Sequence, residues 1–136
     1  MGWELKRLAD KNLGAAIGLA AHYRDLNEPA QAESICRDVL AVAPENVDAL
    51  RTLGLALTDR FPTCWMTLFD EACATFRKLP SDYERTYYLG IAWERKGDPQ
   101  KALEAWRRAK KLGVRFAPLA EWIESKERIY GAEGTP

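Results

Sequence analysis

The strongest constraint on the fold is a spacing that occurs three times. Leu19-Ala20-x-x-Tyr23, Leu53-Gly54-x-x-Leu57 and Leu89-Gly90-x-x-Trp93 each set a large apolar residue, a small one, and another large one three positions on, which marks one face of a helix. A second small column, Ala32, Ala72 and Ala102, is followed four residues later by Cys36, Phe76 and Trp106, the spacing of neighbours on a second helical stripe. Units starting at Leu13, Val47 and Tyr83 therefore read as helix pairs. The small residues let the two helices approach, and the large ones fill the space between neighbouring units, because neither helix buries its face alone.

Helix signals divide the chain in the same places. Asn27-Glu28-Pro29 and Asp98-Pro99 supply a capping side chain with proline in the first turn. Gly97, Gly113 and Gly131 stand just beyond periodic runs, where a residue able to adopt positive φ closes a helix. Pro44 and Pro80 follow the second helices of the first two units, and Pro118 opens a last helix. The expected helices are 3–26, 29–43, 47–60, 63–79, 82–96, 99–112 and 118–130. The last carries Leu119, Trp122, Ile123 and Ile129 on one side with Glu121, Glu124, Lys126, Glu127 and Arg128 largely on the other, as a capping helix should. At the other end Trp3, Leu5 and Leu8 start a cap helix that either flows into the first unit or breaks near 11–14.

The third unit reads Tyr88-Leu89-Gly90-Ile91-Ala92-Trp93-Glu94-Arg95-Lys96-Gly97-Asp98-Pro99-Gln100-Lys101-Ala102-Leu103-Glu104-Ala105-Trp106, and the first adds a terminal proline, Pro44. These columns resemble the tetratricopeptide repeat, W-x-x-L-G-x-x-Y, then A-x-x-x-F, then P, over about 34 residues. The resemblance covers residues 13–116. It implies an all-α protein, a right-handed α-solenoid of antiparallel helix pairs with about seven helices. On that reading 1–136 is one domain, comprising an N-terminal cap or helix start at 1–12, repeats at 13–46, 47–82 and 83–116, a capping helix at 117–131 and a disordered tail at 132–136.

The middle unit departs from the pattern. Leu53 to Leu89 spans 36 residues, close to the 34 from Leu19 to Leu53, yet Ala32 to Ala72 spans 40 and Ala72 to Ala102 only 30. About 6 residues are gained before its second helix, within 59–68, and about 4 lost after Ala72, close to one helical turn. A helix slid along its neighbours accounts for both. The added stretch at 60–69 is apolar for a connection, which normally runs over the surface. It either packs Trp65 and Phe69 onto the repeats as an extra turn, or leaves Phe61, Trp65 and Met66 as a second interface for a partner or another copy.

Composition removes several function classes. At 136 residues the chain is the size of one domain. Lys and Arg number 20 against 20 Asp and Glu, so no bulk field draws it to phosphate backbones or anionic membranes. No apolar stretch approaches the roughly 20 residues of a membrane span, and the absence of a basic leader reads as a mature chain starting at Met1. Cys36, Cys64 and Cys73 are odd in number and lack CxxC spacing, and His22 is the only histidine. A zinc site is therefore not expected, and a reducing, cytoplasmic location is. No GxSxG, glycine-rich phosphate loop or HExxH occurs, so the expectation is a non-enzymatic protein with no cofactor.

In tetratricopeptide proteins the first helices of successive repeats line a concave groove that accepts an extended or helical segment, and the resemblance implies the same use here. The groove positions are Ile17, Ala21 and Arg24, then Arg51, Thr52 and Leu55, then Glu84, Tyr87, Ile91 and Arg95, with Glu121 and Arg128 closing the end. Tyr88 either joins them or packs inside. Tyr87, Arg51 and Arg95 are the expected anchors, since aromatics and arginines dominate interface energetics. The carboxylate clamp of chaperone-tail binders is poorly matched, because Gly14, Ile17, Gly18 and Ala21 stand where that clamp has basic and amide groups. Arg107-Arg108-Ala109-Lys110-Lys111 is the densest basic run, but it closes a second helix, where cations suit the helix dipole. The expected function is an adaptor or scaffold for a protein partner, monomeric or within a larger complex. The alternative is a fixed subunit docked through 61–69.

Overall fold

Helical spacing of apolar residues over nearly the whole chain gives seven helices and no strand among the described residues. The computed structural model describes residues 11–113 and 117–133, apart from the side chains at 11, 61–66, 117–119 and 132–133. The features expected at Trp3, Leu5 and Leu8, and at the side chains of Phe61, Trp65, Met66 and Leu119, lie outside the described residues. Packing divides the chain into two compact units, Met1–Leu79 and Pro80–Pro136.

The first unit contains α1 (Lys11–Asp25), α2 (Pro29–Val42), α3 (Val47–Asp59) and α4 (Phe61–Phe76). Sequential helices pack on one another, and α1 also packs on α3. Arg24 near the end of α1 pairs with Asp59 at the end of α3 at 2.8 Å, so those two helices run parallel. Glu33 at the start of α2 pairs with Arg60 just after α3, so α2 runs against α3.

The second unit contains α5 (Asp82–Lys96), α6 (Pro99–Gly113) and α7 (Ala117–Glu133). Its core is Ala102, Leu103, Trp106 and Ile123, with Tyr87, Ile91, Trp93, Trp122 and Tyr130 packed around them. Tyr87 meets Trp122 in the first halves of α5 and α7, and Glu94 meets Tyr130 further along both. These two helices are therefore also parallel.

Both small columns do the work that their spacing predicts. Ala32, Ala72 and Ala102 are fully buried, as are Cys36, Phe76 and Trp106 four residues on. At Gly54 an added Cβ would come within 2.6 Å of Phe76 Cδ1 and Cζ. At Gly90 it would lie 2.6 Å from Trp106 Cδ1. Neither position admits a side chain without moving a buried ring. The first pair solves the same problem the other way round, with buried Ala20 in the glycine column and the smaller Cys36 in the aromatic one. Trp106 Nε1 also donates to the Tyr87 carbonyl at 3.1 Å, fixing α6 against α5.

Three boundaries differ from the expectation. Asn27 does not cap α2. It sits at φ 59 and ends α1, with its N–H donating to Arg24 O at 2.9 Å and the Glu28 N–H to Tyr23 O at 2.8 Å. Gly97 ends α5 with the same pair of bonds, at φ 97. Both are αL stops that satisfy otherwise orphaned carbonyls. Asp98, by contrast, caps α6 as expected, accepting from the Lys101 N–H at 3.1 Å.

The surplus residues after α3 do not form a connection. Arg60 alone separates α3 from α4, which is 16 residues long. Pro62 in the first turn has no N–H to leave unsatisfied, so the helix starts at once and the insertion becomes helix. Gly131, expected as a stop, lies inside α7.

Candidate interaction surfaces

The twelve expected groove residues fall on two parallel helix pairs, one in each unit. Ile17, Ala21 and Arg24 are on α1, beside Arg51, Thr52 and Leu55 on α3. Ile17, Thr52 and Leu55 are half-buried and Ala21 is exposed. Both arginines on this face already hold carboxylates of their own unit. Arg24 Nε meets Asp59 Oδ2 at 2.8 Å, and Arg51 Nη1 meets Asp48 Oδ1 at 2.7 Å. Such partly exposed pairs contribute about 0–1 kcal/mol, which leaves the apolar and small residues as the larger available contribution to any contact made on this face.

In the second unit, Glu84, Tyr87, Ile91 and Arg95 are on α5, and Glu121 and Arg128 on α7. Tyr87 and Ile91 pack on the core. The Tyr87 ring stands edge-on to Trp122 at 5.4 Å and to Tyr88 at 4.9 Å, and Trp122 stands edge-on to Trp106 at 4.7 Å. Arg95, Glu121 and Arg128 are exposed, and Glu84 is half-buried. A polar latch holds α7 to α5, with Glu94 Oε2 accepting from Lys126 Nζ at 2.6 Å and from the Tyr130 hydroxyl at 2.7 Å.

Burial, helped by Tyr88, Tyr83 and Glu94 nearby, pushes the Tyr87 hydroxyl from 10.0 up to about 12. Tyr83 is raised too, by burial and then by Glu84. The folded state thus holds these protons after the unfolded chain has released them. The stability that Tyr87 contributes in this way is complete below pH 10.0 and is lost as pH rises to about 12. Denaturant melts of Tyr87→Phe across that window should show a shallower alkaline loss than the parent. An unchanged slope would mean that Tyr87 is not buried as described.

Compared with models of the known protein families and with curated protein sequences, the chain matches none. Its chemistry must be read from its own residues. Among the described residues no group of His, Cys, Asp and Glu is arranged to hold a metal ion, and no helix is long and apolar enough to cross a membrane. His22 is exposed, 6.5 Å from the Tyr23 ring. Cys36 and Cys73 are buried free thiols. Burial pushes Cys36 up to about 11, against a smaller opposing pull from Arg24, so it carries almost no thiolate at neutral pH and makes a poor nucleophile. Phe69, from the apolar stretch of the middle unit, is buried.

One surface escaped the sequence. Between α6 and α7 lies an open cleft of about 420 Å³ lined by Lys110, Glu124, Glu127 and Arg128, adjoining one of about 340 Å³ lined by Arg107, Lys110, Lys111 and Glu127. Arg128, expected to close the groove, lines this cleft. The signal was present as i, i+3 and i+4 spacing on both helices, at 107, 110 and 111 and at 124, 127 and 128. Each run had a local explanation, the helix dipole for one and a solvated cap for the other, and nothing in sequence says that they meet.

Proposed function

We propose that this protein is a helix-pair repeat of the tetratricopeptide type that works in the cytoplasm as a non-enzymatic adaptor or scaffold, binding a peptide or helical segment of another protein along its first helices. The supporting observation is the face of α1 and α3. Two parallel neighbouring helices present Ile17, Thr52 and Leu55 half-buried beside an exposed Ala21, a strip on which an amphipathic segment can lay its apolar side. The recurring small-and-large packing of the helix pairs supports the repeat reading. The buried free thiols fit a reducing compartment.

The test blocks the strip without touching the core. Wild type and an Ala21→Arg, Thr52→Arg double variant, matched by circular dichroism, are used as bait under native conditions. The proposal expects a protein captured by wild type and lost by the variant. Equal capture by both removes the α1 and α3 face from the reading.

A further inference from the structure

A line of exposed residues runs along α1 at alternating intervals of 4 and 3: Asn12, Ala15, Leu19, His22 and Leu26. Leu19 is 48% exposed and Leu26 55%. Leu26 still belongs to the helical surface, since its N–H donates to His22 O at 3.0 Å. α1 packs on α2 and α3, and neither covers this line. The interval is that of the a and d positions of a coiled coil, which keep one seam turned toward a second helix. In the sequence it continues backwards through Leu8 and Leu5.

The repeat supplies an independent observation. One step of 34 residues along the chain, the equivalents of Ala15, Leu19 and His22 are Ala49, Leu53 and Ala56. There they are buried, at 0%, 5% and 0% exposure. The same helix face is thus a packing face in α3 and an uncovered one in α1, the first described helix. A stack of helix pairs stays soluble when its end faces are polar, but this one carries two half-exposed leucines with Ala15 and Gly18 beside them.

We propose that this face of α1 binds the same face of a second copy, as an antiparallel homodimer about a twofold axis. In an antiparallel pair, a positions meet d positions. Centring the axis near residue 17 sets Ala15 against the partner's Leu19, small against large, and Asn12 against the partner's His22, polar against polar. Symmetry repeats each match. The flanking positions of this register, one ahead of each a residue, are 11, 18 and 25. Residue 11 is lysine and residue 25 is an exposed aspartate, and the antiparallel register brings position 11 beside the partner's Asp25. Gly18 meets the partner's Gly18 near the axis, where an added Cβ would have nothing within 4 Å in the single chain, so the two backbones can approach closely. A parallel pair would instead stack His22 on the partner's His22 and set position 11 beside the partner's Ala16, so the opposite charges would not meet. The chain therefore carries its own complement in size, polarity and charge. The seam is separate from the strip on α1 and α3, because at 100° per residue Ile17 projects from the opposite side of α1.

Sedimentation velocity of the full chain tests this, with circular dichroism to match the variants. Over about 5–500 µM, the range suited to an interface of one helix on one helix, the mass should rise from one chain toward two. Leu19→Glu should weaken association by at least about tenfold. Leu112→Glu alters a leucine of the second unit with the same 48% exposure, and should leave association unchanged. The Ala21→Arg, Thr52→Arg chain should dimerise as wild type does. Orientation is read by charge: Lys11→Asp and Asp25→Lys should each weaken the dimer by about threefold to tenfold, and the doubly reversed chain should recover it. A wild-type chain that is monomeric at every concentration leaves the seam to another occupant and overturns the proposal. Equal loss from Leu112→Glu, loss in the Ala21→Arg, Thr52→Arg chain, or indifference to Leu19→Glu or to the single charge reversals would each overturn it too.

Discussion

Replacing Trp106 with alanine is expected to cost the second unit about 3–5 kcal/mol, a large share of what a small domain has. The ring is fully buried, occupies the space left open at Gly90, stacks edge-on with Trp122 at 4.7 Å, and donates to the Tyr87 carbonyl. Removing it opens a cavity that the parallel pair of α5 and α7 cannot close without breaking the Glu94 latch. Trp106→Phe keeps most of the volume and loses the N–H donor, so its cost should be smaller, about 1–2 kcal/mol. Hydrogen exchange of the α5, α6 and α7 amides under mild denaturant gives the comparison. A loss below about 1 kcal/mol for the alanine variant would contradict a core built on this ring.

The first unit offers a more demanding experiment, because the chain already contains two solutions to one packing problem. Phe76→Cys should destabilise by about 3–4 kcal/mol through the cavity it leaves. Gly54→Ala should cost about 1–2 kcal/mol, since pushing a Cβ against the Phe76 ring outweighs the gain in helix propensity. Together the two substitutions rebuild the Ala20 and Cys36 arrangement at the next helix pair. The double variant should therefore be about 1–2 kcal/mol more stable than the single effects added together. Strict additivity in urea titrations would mean that Gly54 and Phe76 do not share the space the structure assigns them.

That pair also shows what kind of information the sequence held openly. The glycine and aromatic columns are set by sterics between helices, and they recur, so three repetitions of Leu-Gly or Leu-Ala with a large residue downstream are enough to place α1 to α6 in pairs. Asp82 to Lys96 could be bounded to the residue because Ser81 and Gly97 mark its two ends. Errors gathered where one residue type serves two geometries. Asn27 suits both a cap and an αL stop, and Pro29 decides the matter by making Glu28 the residue before the new helix. The insertion at 60–69 was legible as extra length, but whether surplus residues become loop or helix depends on whether the chain can turn within one residue, as it does at Arg60.

The candidate surfaces were less legible for a related reason. Helical projection assigned Tyr87 and Ile91 to the exposed side of α5, and it cannot see that α7 arrives to cover them. Arg24 and Arg51 read as available cations because their partners, Asp59 and Asp48, lie on faces that only the packing or the rotamer defines. The cleft of α6 and α7 belongs to neither helix alone, so no single-helix pattern announces it.

The two buried thiols turn the first unit into its own recorder. All three cysteines precede residue 80, so the second unit contributes nothing to thiol chemistry. With Cys64 replaced by serine, a membrane-neutral alkylating reagent can reach Cys36 or Cys73 only when the helices around them part, because both are sealed from solvent in the closed fold. The labelling rate, divided by that of an open thiol, then reads the population of parted conformers directly under native conditions. Two such thiols on α2 and α4 distinguish fraying of one helix from cooperative opening: separate rates report the former, and a single shared rate the latter.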